Sequence, residues 1–218
     1  AGRETLESGT APKMFRRDFE LQLGRTTPKR PLISAKYPYT RNDHNSKLYA
    51  DAESALGAKD NKKAEQVLKE LVAADPKDFA AWSLLGSVYI EQENFPAAEK
   101  AFQSSLDTRA DFAPAMMGIG RVYLVQKRVD DAIAMLLKAT KAEPNSAMSF
   151  RLLGEAYLLA RKGTLGVEAL NEAIRLAPVP MAECHLLMAL LYDRAGGKSL
   201  ASREYRLFLE KVPNHPDK

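Results

Sequence analysis

Residues 82–102 read WSLLGSVYIEQENFPAAEKAF. Trp82, Leu85 and Tyr89 recur at intervals of three and four, and so do Ala98 and Phe102. That is the period of a helix with one apolar face. A short turn at Glu93–Phe95 separates the two stretches, so the segment reads as a helical hairpin. Gly86 is small where the first helix must approach the second closely, and Ala98 supplies the facing small surface. Trp82, Tyr89 and Phe102 are large enough to fill the gap to a following hairpin.

The same pattern repeats outward in both directions. The next unit carries Met116, Ile119, Gly120, Tyr123, Ala132, Leu136, Ala139 and Pro144, and the one after it Phe150, Leu153, Gly154, Tyr157, Leu170, Ala173 and Pro178. In that second unit Gly166 stands where a small alanine is usual. One unit earlier, Leu48, Ala52, Ala55, Ala64, Leu68 and Pro76 keep the small and apolar positions but lose the Trp, Gly and Tyr. After a one-residue insertion near Val179–Met181, a fifth unit follows with Met188, Ala189, Tyr192, Ala201, Tyr205 and Pro213. Pro76 and Pro144 are 68 residues apart, twice 34, and Pro178 and Pro213 follow at 34 and 35. A fixed period of this length marks stacked supersecondary units. Each proline closes a second helix, because it cannot continue the backbone ladder.

The run Trp82-x-x-Leu85-Gly86-x-x-Tyr89 followed by Ala98-x-x-x-Phe102 resembles the tetratricopeptide repeat, and the resemblance covers residues 45–215. It implies an all-α fold, a right-handed α-solenoid of five hairpins near residues 45–78, 79–112, 113–146, 147–180 and 181–215. No single hairpin buries its apolar face, so stability is expected from nearest-neighbour stacking.

Residues 1–44 differ in character. They hold Pro12, Pro28, Pro31 and Pro38, which prevent long regular structure. They also hold nine Lys/Arg against five Asp/Glu, which accounts for the whole formal charge of +4. Residues 45–218 are therefore neutral, which argues against a nucleic-acid surface spread over the fold. Phe15, Phe19, Tyr37 and Tyr39 are more aromatics than a spacer needs. We expect an extended basic arm preceding the solenoid, with Tyr37–Arg41 (YPYTR) extended and these aromatics available to dock.

The chemistry-bearing residues are sparse. Cys184 is the only cysteine, and His44, His185 and His215 are scattered, so no zinc site, haem attachment, metal site or cofactor is expected. Ala195-Gly-Gly-Lys-Ser199 resembles part of a phosphate loop, but Tyr192 stands where its first glycine belongs. Gly118-Ile-Gly120 is half of a dinucleotide fingerprint placed inside a helix. No nucleophile–base–acid arrangement is readable, and the expectation is a protein that is not an enzyme. No apolar run approaches the roughly 18 residues needed to span a bilayer. The start at Ala1–Gly2 fits removal of a signal peptide, and an exported setting is the expectation.

In the family that the chain resembles, the first (A) helices line a concave groove that holds partners. That resemblance places at the groove Tyr49 and Glu53 in the first hairpin, Ser87 and Ile90 in the second, and Met117, Arg121 and Leu124 in the third. Arg151, Glu155 and Leu158 follow in the fourth, and Leu190 and Arg194 in the fifth. The mixed lining suits an apolar helix or extended peptide with some complementary charge. The Lys and Asn clamp by which some family members grip an acidic chaperone tail is not matched. Arg121, Arg151 and Glu155 could equally form an internal charge network. Tyr205 and Phe208 fall where a sixth hairpin would pack, which makes the C-terminal face a second candidate surface for a partner, the arm or another copy. The expected function is a non-catalytic scaffold subunit of a larger assembly. The alternatives are a transient chaperone-like factor for exported or membrane proteins and an anion- or nucleic-acid-tethering module working through the arm.

Overall fold

A computed structural model describes residues 37–178 and 181–211. Phe15 and Phe19 lie outside them. Ten helices form five hairpins among the described residues. They are α1 (Asp43–Gly57) with α2 (Asn61–Ala74), α3 (Phe79–Glu91) with α4 (Phe95–Thr108), and α5 (Ala113–Val125) with α6 (Val129–Ala142). Then come α7 (Ala147–Leu159) with α8 (Gly163–Leu176), and α9 (Glu183–Arg194) with α10 (Lys198–Lys211). The odd-numbered helices are the A helices. Each helix packs on its hairpin partner and on the next helix along the chain, which makes an all-α solenoid.

The turns inside the hairpins show the repeat in backbone geometry. Lys59, Glu93, Lys127, Arg161 and Gly196 all have positive φ, between 58° and 78°. Each follows the end of an A helix. The next amide then reaches back across the turn, as in Asn94 N to Tyr89 O and Arg128 N to Tyr123 O, both 2.8 Å. This is the left-handed closure that satisfies the last carbonyls of a helix. Only one of the five positions is a glycine. Asp60 and Asn94 then start the B helices by accepting from Lys63 N and Ala97 N.

Large B-helix side chains are seated on glycines of the A helices, and one of them, Phe102, bridges two hairpins. The Phe102 ring from α4 lies against Gly86 in its own hairpin, where an added Cβ would be 2.8 Å from the ring. It lies even closer to Gly118 in the next hairpin, where an added Cβ would overlap it. Phe102 is 1% exposed. Within their own hairpins, Leu136 packs on Gly120 in the same way and Leu170 on Gly154. Gly118 is thus a packing residue rather than part of a nucleotide-binding turn.

The residues before α1 are pinned to the loops that join the hairpins. Tyr37 OH donates to Asp111 O at 3.0 Å, and its ring stands edge-on to Phe112 at 5.0 Å. Phe112 in turn meets Phe79 at 4.8 Å, and Tyr39 meets Phe79 at 5.4 Å. Tyr39 OH donates to Asp75 at 2.8 Å, and burial, with that bond second, pushes its phenol up to about 12. Arg41 forks onto the fully buried Asp78, Nε to Oδ2 at 2.5 Å and Nη2 to Oδ1 at 2.8 Å. Asp78 Oδ1 also accepts from Ala81 N and so caps α3. One carboxylate therefore starts a helix and holds the arm. At the equivalent place before α5, Phe112 makes no side-chain cap and serves the aromatic cluster instead.

Two outcomes follow for stability. Gly118→Ala should cost about 1–3 kcal/mol by overpacking, although alanine is the better helix former by about 1 kcal/mol. Gly57→Ala, whose added Cβ meets nothing within 4 Å, should be neutral or stabilising. Midpoints of urea unfolding would show the opposite signs. Arg41→Ala should cost about 3 kcal/mol by leaving a buried carboxylate without its cation, while Thr40→Ala, at an exposed site, should leave the midpoint unchanged.

Candidate partner-binding groove

From α3 onward each A helix also touches the next A helix, whereas no comparable contact joins successive B helices among the described residues. The A helices therefore sit on the tighter, inner side of the stack, and the side chains they share define a groove. Arg194 Nη1 crosses it from α9 to donate to Leu158 O of α7 at 3.1 Å. Ser146, at the start of α7, approaches Met117 Sδ of α5 at 3.9 Å.

The structure treats the expected groove residues unequally. Tyr49 is buried beneath Arg41, whose guanidinium carbon lies 3.7 Å above the ring centre. The arm thus occupies the first-hairpin end of the groove, and Tyr49 is not available there as expected. Its phenol is pushed up by burial, and its hydroxyl is buried without a hydrogen-bond partner. Glu53 and Ser87 are half-buried; Ser87 donates to Ser83 O within α3. Ile90, Met117, Leu124 and Leu158 are buried between A helices, so they form the floor. Leu190 is half-buried and Arg194 exposed at the far end.

Charge is concentrated mid-groove. Glu155 is 4% exposed, and Arg151 Nη1 stands 3.5 Å from its Oε2. Arg151 Nε points to the weak acceptor Met148 Sδ at 3.4 Å. Burial pushes the Glu155 carboxyl up, against the pull of Arg151 and Arg121. Arg121 is half-buried. Burial draws its guanidinium down, opposed by the field of Glu91 and Glu155 and reinforced by Arg151.

At the C-terminal end, Phe208 is 4% exposed and Tyr205 half-buried. Phe208, expected at a partner surface, has a buried ring like the apolar residues of the groove floor. Beside it in sequence the structure reveals a pair that the sequence reading passed over. His185 Nδ1 and Glu204 Oε2 are 2.7 Å apart between α9 and α10, both residues buried, with His185 Nε2 buried and unpartnered. The signal was present in the repeat register. His185 stands where the other units have Leu48, Trp82, Met116 and Phe150, and Glu204 where they have Val67, Ala101, Met135 and Ala169. Two polar residues in two apolar positions of one hairpin are each other's natural partner. Cys184 is fully buried, and burial pushes its thiol up to about 12, which makes it an inert core residue. Of the Ala195–Ser199 run, residues 195–197 form the turn of the fifth hairpin, with Gly196 at its left-handed position, and Lys198 and Ser199 open α10. Among the described residues no group of three His, Cys, Asp or Glu is placed to hold a metal ion, and no helix is long and apolar enough to cross a membrane.

Comparison with known proteins agrees with this architecture. The tetratricopeptide repeat family matches residues 55–114 and 89–156. Superkiller complex protein 3 of Mus musculus is 26% identical over 110 residues, which is 50% of this chain and 7% of that protein. The mitochondrial import receptor subunit TOM70 of Mus musculus is 21% identical over 161 residues, 73% of this chain and 26% of that protein. The chain thus spans only a small part of the length of these relatives. Among solved structures, MamA from Desulfovibrio magneticus RS-1 superposes with a TM-score of 0.69 at 21% identity, covering 81% of this chain and 99% of that one. Pseudomonas aeruginosa PilF gives 0.69 at 21% identity, over 77% of this chain and 76% of that one. With five hairpins in one register and the family match across the central ones, the chain is an all-α solenoid whose hairpins match the tetratricopeptide repeat.

Proposed function

We propose that the chain is a non-catalytic scaffold that holds other proteins, as an accessory subunit of a larger assembly. The observation that carries this reading is the inner face of hairpins two to five. It combines an apolar floor of Ile90, Leu124 and Leu158 with half-buried positions at Ser87, Arg121, Arg151 and Leu190. Such a lining can desolvate an apolar segment and fix its register through a few charges. The first-hairpin end is closed by Arg41 on Tyr49, so a partner would enter from hairpin two onward. Two relatives with similar repeats are, by name, a complex protein and a receptor subunit, which supports a role among protein partners. The buried His185–Glu204 pair shares a hairpin core and has no nucleophile hydrogen-bonded to it, so it serves packing rather than a reaction.

Affinity purification from the native host under gentle salt, with mass spectrometry, tests the reading. Five forms are compared: the full chain, a form beginning at Tyr37 that keeps the pinned residues, the groove variants Ser87→Trp and Leu190→Glu, and Leu137→Glu on the outer helix α6. The full chain should bring down a fixed, stoichiometric set of proteins. The groove variants should lose most of it, and Leu137→Glu should retain it. Loss on removing residues 1–36 alone would add the arm as an anchor. A diffuse set of substoichiometric clients would favour a transient assembly factor, and no specific partner would refute the scaffold.

A further inference from the structure

Every half-buried arginine among the described residues but one is paired. Arg41 holds Asp78, Arg109 holds Asp111, and Arg151 faces Glu155. Arg121 alone has no hydrogen bond and no carboxylate within 4 Å, although it is half-buried at the centre of the groove on α5. Glu155 on α7 occupies the position of Arg121 one repeat later, and Arg151 lies one helical turn before it. The local balance is thus two guanidiniums to one buried carboxyl, whose charged form burial disfavours. Glu91 acts on Arg121, and Glu183 on Glu155, only from a distance, and both are exposed. Nearby, Ile90, Leu124 and Leu158 are apolar and buried. A guanidinium partly removed from water with no partner is costly, and an incoming carboxylate would recover that cost through a charge-assisted fork.

We propose that Arg121, assisted by Arg151, is the anion receptor of the groove, and that its ligand is an aspartate or glutamate side chain within an apolar segment of the partner protein. This rests on the groove reading above and adds to it the chemistry of the occupant. The apolar residues of the segment lie on the floor, one on each side of Arg121, and the acid sets the register. A basic or purely apolar segment leaves Arg121 desolvated and unpaired, which is a penalty against the wrong partner. The site differs from a grip on a chain terminus, because the groove continues past Arg121 toward Ser87 in one direction and Leu190 in the other.

The test is selection of random 16-residue peptides displayed on phage against the full chain, followed by anisotropy measurements on labelled synthetic winners. The winners should carry Asp or Glu among apolar residues. Replacing that acid by its amide should weaken binding about tenfold or more on the unaltered protein, as expected for a hydrogen bond between charged groups. On Arg121→Gln the acid and amide forms should bind alike. Winners without an acid, or an acid preference that survives Arg121→Gln, would overturn the proposal while leaving the groove as a binding face. A selection that yields no groove-binding peptide would overturn both readings. As a control on structural roles, Arg121→Met should leave the melting temperature unchanged or raise it. A fall beyond roughly 2–4 °C, the shift that accompanies about 1 kcal/mol at this size, would mean that the side chain is used internally and would overturn the assignment.

Discussion

The array depends on one kind of contact: a bulky residue from a B helix seated on a glycine of the A helix it packs against. Phe102 between Gly86 and Gly118 is its tightest instance. The contact works in only one way, because a single added methyl group on Gly118 would occupy the volume of the ring. Successive A helices touch one another from α3 onward, while successive B helices stand apart among the described residues. The inner face, and with it the groove, follows from that difference.

The first and fifth hairpins depart from the common repeat in different ways. At the start, an extended segment from Tyr37 to Arg41 crosses the loops of the first three hairpins. It is held by an aromatic cluster and by one buried ion pair. The energetic centre of that contact is Asp78, which caps α3 and neutralises Arg41 with the same carboxylate. At the other end the fifth hairpin exchanges two apolar positions for His185 and Glu204 and buries Phe208. A buried polar pair of this kind adds specificity of pairing between α9 and α10 more than it adds stability.

The hairpins and their register were legible in the sequence because the repeat multiplies each weak signal by five. Trp82, Gly86, Tyr89, Ala98 and Phe102 mean little singly, but the same positions recur every 34 residues. The arm's docking was not legible, because Tyr37 meets Asp111 across 74 residues and no periodicity reports such a contact. Arg41 over the Tyr49 ring is a second contact of this kind, and it covers a residue that the repeat register places at the groove. The groove charges were legible as residues but not as chemistry. Register places Arg121, Arg151 and Glu155 together; only coordinates show that Arg151 takes the carboxylate and Arg121 goes without. His185 with Glu204 was legible in principle, through their departure from the apolar register.

The central claim is that partners are held on the inner face formed by the A helices. Photo-crosslinking in the native host tests it most directly, with a benzophenone amino acid placed at Ser87 or Leu190 on the inner face, or at Leu137 on the outer face. The account predicts that the inner positions capture the same discrete partner and that Leu137, 37% exposed on α6, captures none. Capture of that partner from Leu137, with the inner positions silent, would contradict it.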